Sequence, residues 1–121
     1  MAKKILYIED EEHMAVVVKA RLEGNGYECS LAADGKEGIE KAKAEIPDLI
    51  LLDIFLPKVD GFKVAQTLRE DPATKKIPII AISASGVDYL EDQCRNVGIE
   101  DVLRKPYETE DLLEKIKERL K

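Results

Sequence analysis

The sequence predicts a doubly wound α/β sandwich, a parallel sheet of five strands with helices on both faces. Three observations predict it. Short apolar runs and helical patterns alternate strictly, five of each, along the 121 residues. The third run, Leu49 to Leu52, is wholly apolar, as a strand covered on both faces requires. No internal repeat, low-complexity segment or linker interrupts the alternation, so residues 1–121 read as one domain.

Each element has a local reason. Lys4 to Glu9 (KILYIE) forms the first strand. A helix follows from about Glu12 to Glu23, its apolar positions filled by Met14, Val17, Val18, Ala20 and Leu22 and its end set by Gly24-Asn25-Gly26. Tyr27 to Ala32 is the second strand, and Asp34-Gly35 turns into a helix reaching about Glu45. After the third strand, a helix from about Gly61 to Glu70 stops at Asp71-Pro72. Ile77 to Ile82 is a fourth buried strand, followed by a helix over roughly Val87 to Val97 that ends at Gly98. Asp101 to Arg104 is a short fifth strand, and Glu108 to Leu120 an amphipathic helix with Leu112, Leu113, Ile116 and Leu120 on one face. Right-handed crossovers then place helices on both sides of the sheet.

Composition narrows the function. With 45% hydrophobic and 36% charged residues the chain is expected to be a soluble globular domain. No apolar run approaches the roughly 20 residues that span a bilayer, and MAKKILYIED has no signal-peptide h-region because acids follow its apolar run at once. Cys29 and Cys94 fit neither a disulfide framework nor a zinc pattern, so both are expected reduced in the cytoplasm. A net charge of −6 argues against direct nucleic-acid binding, since phosphates are repelled.

In open α/β sheets the functional crevice lies beyond the carboxyl ends of the strands. Strand one ends in Glu9-Asp10, strand three runs into Asp53, strand four into Ser83-Ala84-Ser85, and strand five into Lys105-Pro106. Desolvating a lone carboxylate such as Asp53 is expensive. If strands one and three are neighbours, three carboxylates crowd one corner and need a cation, and carboxylate oxygens suit Mg²⁺. A dinucleotide or flavin fold would place glycines or hydroxyls where IEDEEH stands to cradle phosphate, so that class is excluded. Glu11 and Glu12 are expected to serve as helix N-terminal residues favoured by the macrodipole. His13 is expected at the surface, with no phosphotransfer role.

The pieces IEDE at 8–11, LLDIFLPKVDG at 51–61, IPIIAISA at 77–84 and GIEDVLRKP at 98–106 resemble, in order and spacing, the receiver domain of two-component response regulators. The resemblance implies strand order 2-1-3-4-5, as in flavodoxin-like folds, and a role for each marked position. Asp53 is implied as the phosphoacceptor, Asp10 and Asp53 as Mg²⁺ ligands, Phe55 as a backbone-carbonyl ligand, and Glu9 as acting mainly through water. Ser83, with Ala84 beside it, takes the place of the phosphoryl-binding hydroxyl, and Lys105 that of the lysine pairing with a phosphoryl oxygen. The Lys105–Pro106 bond is expected cis. Phe55 and Ser85, each two residues past a site residue, are implied to tune the lifetime of the acyl phosphate. Val102 departs from the family, which usually carries tyrosine or phenylalanine there; Tyr107 lies past the proline and does not inherit that role.

By this resemblance the chain is a single-domain regulator, or a receiver cut from a larger one. It would be phosphorylated by a histidine kinase or phosphotransfer protein and would signal through the face of the fourth helix, fifth strand and last helix, as a monomer or phosphorylation-dependent dimer. Two rivals stand beside it. A haloacid-dehalogenase-type hydrolase needs a second aspartate two residues past the first, where Phe55 stands. A receiver-like scaffold that never carries phosphate would usually lack Asp53, the acid pair or Lys105.

Overall fold

The computed structural model describes residues 2–54, 60–83 and 90–120. Five parallel strands form one sheet in the order β2-β1-β3-β4-β5: β1 Lys4–Ile8, β2 Glu28–Ala32, β3 Leu49–Asp53, β4 Ile79–Ser83 and β5 Asp101–Arg104. The helices are α1 Glu12–Gly24, α2 Gly35–Glu45, α3 Gly61–Glu70, α4 Leu90–Asn96 and α5 Thr109–Arg119. This is the doubly wound sandwich, and the strand order, that the sequence and its family resemblance imply.

The period-2 alternation of strand side chains sorts the core into two layers. Leu6, Ile8, Ile50, Leu52, Ile79 and Ala81 face one side, against Ala42 of α2, Val64, Ala65 and Leu68 of α3, and Cys94 of α4. Ile5, Tyr7, Leu49, Leu51, Ile80, Ile82 and Leu103 face the other, against Ala15, Val18 and Leu22 of α1 and Leu112 and Ile116 of α5. Both thiols are free and buried, and burial pushes that of Cys29 up to about 11.

The boundaries differ from the sequence reading by a residue or two, and two differences matter for the site. β3 runs one residue further, so Asp53 is itself a ladder residue opposite Ile82. β1 ends at Ile8, but the Glu9 amide still donates to the Ala32 carbonyl at 3.0 Å, so the backbone of Glu9 is fixed. β4 starts at Ile79 because Pro78 has no N–H, although its carbonyl accepts from Ile50 at 2.9 Å. The expected start of the fourth helix at Val87 lies outside the described residues.

α2 ends on a strained cap. Ile46 has φ +44, a left-handed conformation that costs a β-branched residue about 1–2 kcal/mol, and its side chain is exposed. Ile46→Gly is expected to stabilise the fold by about 1 kcal/mol in urea denaturation, the relief outweighing the added freedom of the unfolded chain. An unchanged or lower midpoint would show that the cap carries no strain.

Candidate functional site

The carboxyl ends of β1, β3 and β4 and the segment after β5 meet at one end of the sheet. Because β1 and β3 are neighbours, with Ile8 opposite Leu52, the acids that follow them are forced together. Glu9, Asp10 and Asp53 each offer one oxygen, and these oxygens lie within 4.8 Å of one another, a group able to hold a metal ion. Glu9 and Asp53 are buried, at 3% and 8% exposure, whereas Asp10 faces solvent. Glu11 is the N-cap of α1, accepting from the amides of His13 at 3.1 Å and Met14 at 2.8 Å, and Glu12 lies in its first turn, both as expected.

Lys105 arrives from β5. Its amide donates to the Ser83 carbonyl at 2.7 Å, extending the β4–β5 ladder, and the Lys105–Pro106 peptide is cis as expected. The ammonium reaches back 3.3 Å to Glu9 Oε1 and 3.7 Å to Asp53 Oδ2. Ser83 is fully buried at the end of β4, one residue past the partner of Asp53 in the register. The structure thus brings together Glu9, Asp10, Asp53 and Lys105, with Ser83 on the adjoining strand end. Phe55, Ala84 and Ser85 lie outside the described residues. Val102 sits in β5 opposite Ala81, half-buried against the layer carrying α2, α3 and α4.

Among the described residues the charges are out of balance, with three carboxylates facing one ammonium. Burial first, then the hydrogen bond and charge of Asp53, raise the pKa of Glu9 above the ordinary carboxylate value. The Glu11 amide and Lys105 oppose the rise without cancelling it. Burial alone would lower the pKa of Lys105, yet Glu9 and Asp53 hold it above its ordinary value, so Lys105 stays cationic. The pKa of Glu9 stays raised despite an ammonium 3.3 Å away because burial and Asp53 together outweigh Lys105.

A pH signature follows. With its folded value above the unfolded 4.5, Glu9 contributes stability that is full below that value and lost as pH rises through the folded one. In chelator, Glu9→Gln is therefore expected to gain on the wild type in thermal midpoint over the pH window that opens at the ordinary value of 4.5. A difference that stays flat across that window would rule out the repulsion.

One residue escaped the sequence reading. Tyr7 counts there only as part of an apolar strand, but its hydroxyl, wholly buried, donates to Glu9 Oε1 at 3.0 Å. The available signal was spacing, since residues two apart on a strand share a face. On the same side of the sheet the Tyr107 hydroxyl is buried without a hydrogen-bond partner among the described residues.

Comparison with known proteins agrees with the fold. The family model of the response regulator receiver domain matches residues 5–117. The chain is 35% identical over 117 residues to the alkaline phosphatase synthesis transcriptional regulatory protein PhoP of Bacillus subtilis, covering 97% of this chain and 48% of PhoP. It is 39% identical over 118 residues to the DNA-binding dual master transcriptional regulator RpaA of Synechocystis, covering 98% of this chain and 49% of RpaA. The chain therefore spans about half the length of these relatives. Among solved structures, the chemotaxis protein CheY4 of Vibrio cholerae superposes with a TM-score of 0.94 at 28% identity, covering 99% and 100% of the two chains. The receiver domain of a sensor histidine kinase from Pseudomonas aeruginosa, with a magnesium ion coordinated in its active site cleft, superposes with a TM-score of 0.91 at 29% identity, covering 99% and 98%.

Proposed function

Because the chain belongs to the response regulator receiver domain family of two-component systems, we propose that it accepts a phosphoryl group on Asp53 and reports that event to a protein partner. The observation that carries the reading is Asp53 itself, a buried carboxylate at a strand end, 3.7 Å from Lys105 and grouped with Glu9 and Asp10.

In this reading Asp53 is the nucleophile. One of its oxygens bonds to phosphorus as the bond to the donor's imidazole nitrogen breaks, the electron pair leaving with the donor. The obstacle is repulsion between a carboxylate and an anionic phosphoryl group, so catalysis is positioning plus neutralisation. Lys105 supplies one fixed positive charge and is placed to move from Glu9 to a phosphoryl oxygen. The Ser83 hydroxyl accompanies it from the end of β4. The donor set, oxygen-only and over-charged, fits a hard divalent cation. Asp10 and Asp53, the Phe55 carbonyl, and Glu9 through water would hold Mg²⁺, which when bound neutralises the acids and the incoming phosphoryl oxygens. Phe55 and Ser85 are assigned the lifetime of the acyl phosphate.

Members of the family do not turn over a separate substrate, and receivers contact histidine kinases and downstream effectors. In our reading residues 1–121 are one such domain, phosphorylated by a histidine kinase or phosphotransfer protein. Output runs through the face of α4, β5 and α5, and Val102 requires that face to respond without an aromatic ring at its position. The net charge of −6 gives no reason for this domain to touch nucleic acid directly. Among the described residues no helix is long and apolar enough to cross a membrane, and a cytoplasmic setting is the one we propose.

The test is intact mass after incubation with a small acyl phosphate. One added phosphoryl group with Mg²⁺, and none in chelator, is the expected result. No adduct with Mg²⁺ present, together with no binding of beryllofluoride, would leave a scaffold that never carries phosphate.

A further inference from the structure

Packing does not explain the Tyr7 hydroxyl. The residue lies inside KILYI, wholly buried, in a layer with Ile5, Leu49, Leu51 and Ile82. Phenylalanine would fill the same space, and burying a hydroxyl costs free energy unless it is hydrogen-bonded. The bond it makes is to Glu9 Oε1 at 3.0 Å, the same atom that Lys105 Nζ approaches at 3.3 Å. The Glu11 amide donates to the other oxygen at 3.3 Å. Glu9 thus has protein donors on both oxygens, and Oε1 has two. One of that pair, Tyr7, is locked in the core; the other, Lys105, is a quarter exposed on a flexible stem.

We propose that Tyr7 is a positioning residue of the acid corner, whose hydroxyl holds Glu9 in its metal-facing orientation when Lys105 leaves it for the phosphoryl group. The inference rests on the phosphoacceptor reading above, in which Lys105 changes partners. Before phosphorylation Glu9 Oε1 is held twice, so losing one donor matters little. Once Lys105 has moved, Tyr7 is the donor that remains at that oxygen among the described residues. The hydroxyl separates the two duties of Lys105, which can swing to the phosphoryl oxygen without releasing the acid that helps bind the metal.

The arrangement predicts a state-dependent effect, which a purely structural tyrosine would not give. Mn²⁺ affinity is measured by the electron paramagnetic resonance of the free ion, with and without beryllofluoride, on the wild type, Tyr7→Phe and Tyr107→Phe. Tyr7→Phe is expected to weaken Mn²⁺ binding about tenfold with beryllofluoride, the low end for an outer-shell partner of a ligand, and at most about threefold without it. Tyr107→Phe, which removes a hydroxyl without a described partner, is expected to match the wild type in both states. In a Lys105→Met background the lysine is already gone, so Tyr7→Phe should show its larger effect with Mn²⁺ alone. An effect of Tyr7→Phe that is absent, or equal in the two states and unchanged by Lys105→Met, overturns the inference and leaves the phosphoacceptor reading standing. A wild type that binds neither Mn²⁺ nor beryllofluoride overturns that reading and the inference with it.

Discussion

Asp53→Asn is expected to lose the phosphoryl adduct completely and, in chelator, to melt higher than the wild type. The two effects have one cause. Asparagine keeps the shape of the side chain but removes the proposed nucleophile and one of three carboxylates whose oxygens gather within 4.8 Å. Asp53 also contributes to the raised pKa of Glu9, which shows that the pair resists joint ionisation. The substitution forfeits the 3.7 Å attraction between Asp53 and Lys105, but Lys105 keeps its shorter contact with Glu9. Relief of repulsion should win, by about 1 kcal/mol, or roughly 3–5 °C for a domain of this size. Adding Mg²⁺ should raise the wild type more than the variant, because a ligand stabilises the state that binds it. A variant that melts lower in chelator would show that Asp53 is a net anchor, and that no stability is given up for function at this position.

Gly61→Ala is expected to be strongly destabilising although it touches no charged group. Gly61 opens α3, and its amide donates to the Ile54 carbonyl at 2.8 Å, tying the helix to the end of β3. A Cβ there would lie 2.6 Å from Ile54 Cα and 2.9 Å from the carbonyl oxygens of both Asp53 and Ile54. These are backbone atoms of Asp53, the last residue of β3, and of Ile54 just past it, with no flexible side chain to yield. Either α3 lifts away or the end of β3 shifts. Overpacking of this kind costs about 3 kcal/mol, measurable as a lower urea midpoint. If β3 is what moves, Asp53 moves with it, and a displacement near 1 Å slows phosphorylation on the order of a hundredfold. Gly24→Ala is the matched control: nothing lies within 4 Å of its Cβ, and alanine is the better helix former. Equal midpoints for the wild type and Gly61→Ala would mean that the two backbones part without cost.

Much of this protein is legible in its sequence because the signals are local. Apolar runs of strand length, helical periodicity and the stops at Asn25-Gly26 and Asp71-Pro72 depend on neighbours a few residues away, and they fix the element types and the α/β class. The acids after β1, Asp53 after four apolar residues, and Lys105 before a proline are legible too, because charged groups at the ends of buried strands have few structural reasons to be there. The family resemblance added the strand order and a role for each position.

Element limits were less legible, because register rather than propensity decides them. Asp53 counts as strand only because Ile82 stands opposite, and β4 starts late because Pro78 cannot donate to its neighbour. Tertiary structure alone decided three further things. It brought Glu9, Asp10 and Asp53 to within 4.8 Å, a consequence of β1 and β3 pairing across more than forty residues of chain. It placed Lys105 on Glu9, 96 residues away in sequence, and buried Glu9 beside Asp53, which together raise the pKa of Glu9. It turned Tyr7 from a core residue into a donor at the site. The sequence determines which groups stand at the strand ends, since that follows from periodicity along one segment. Which oxygen each group meets depends on distances between segments, and those exist only once the sheet has closed its register.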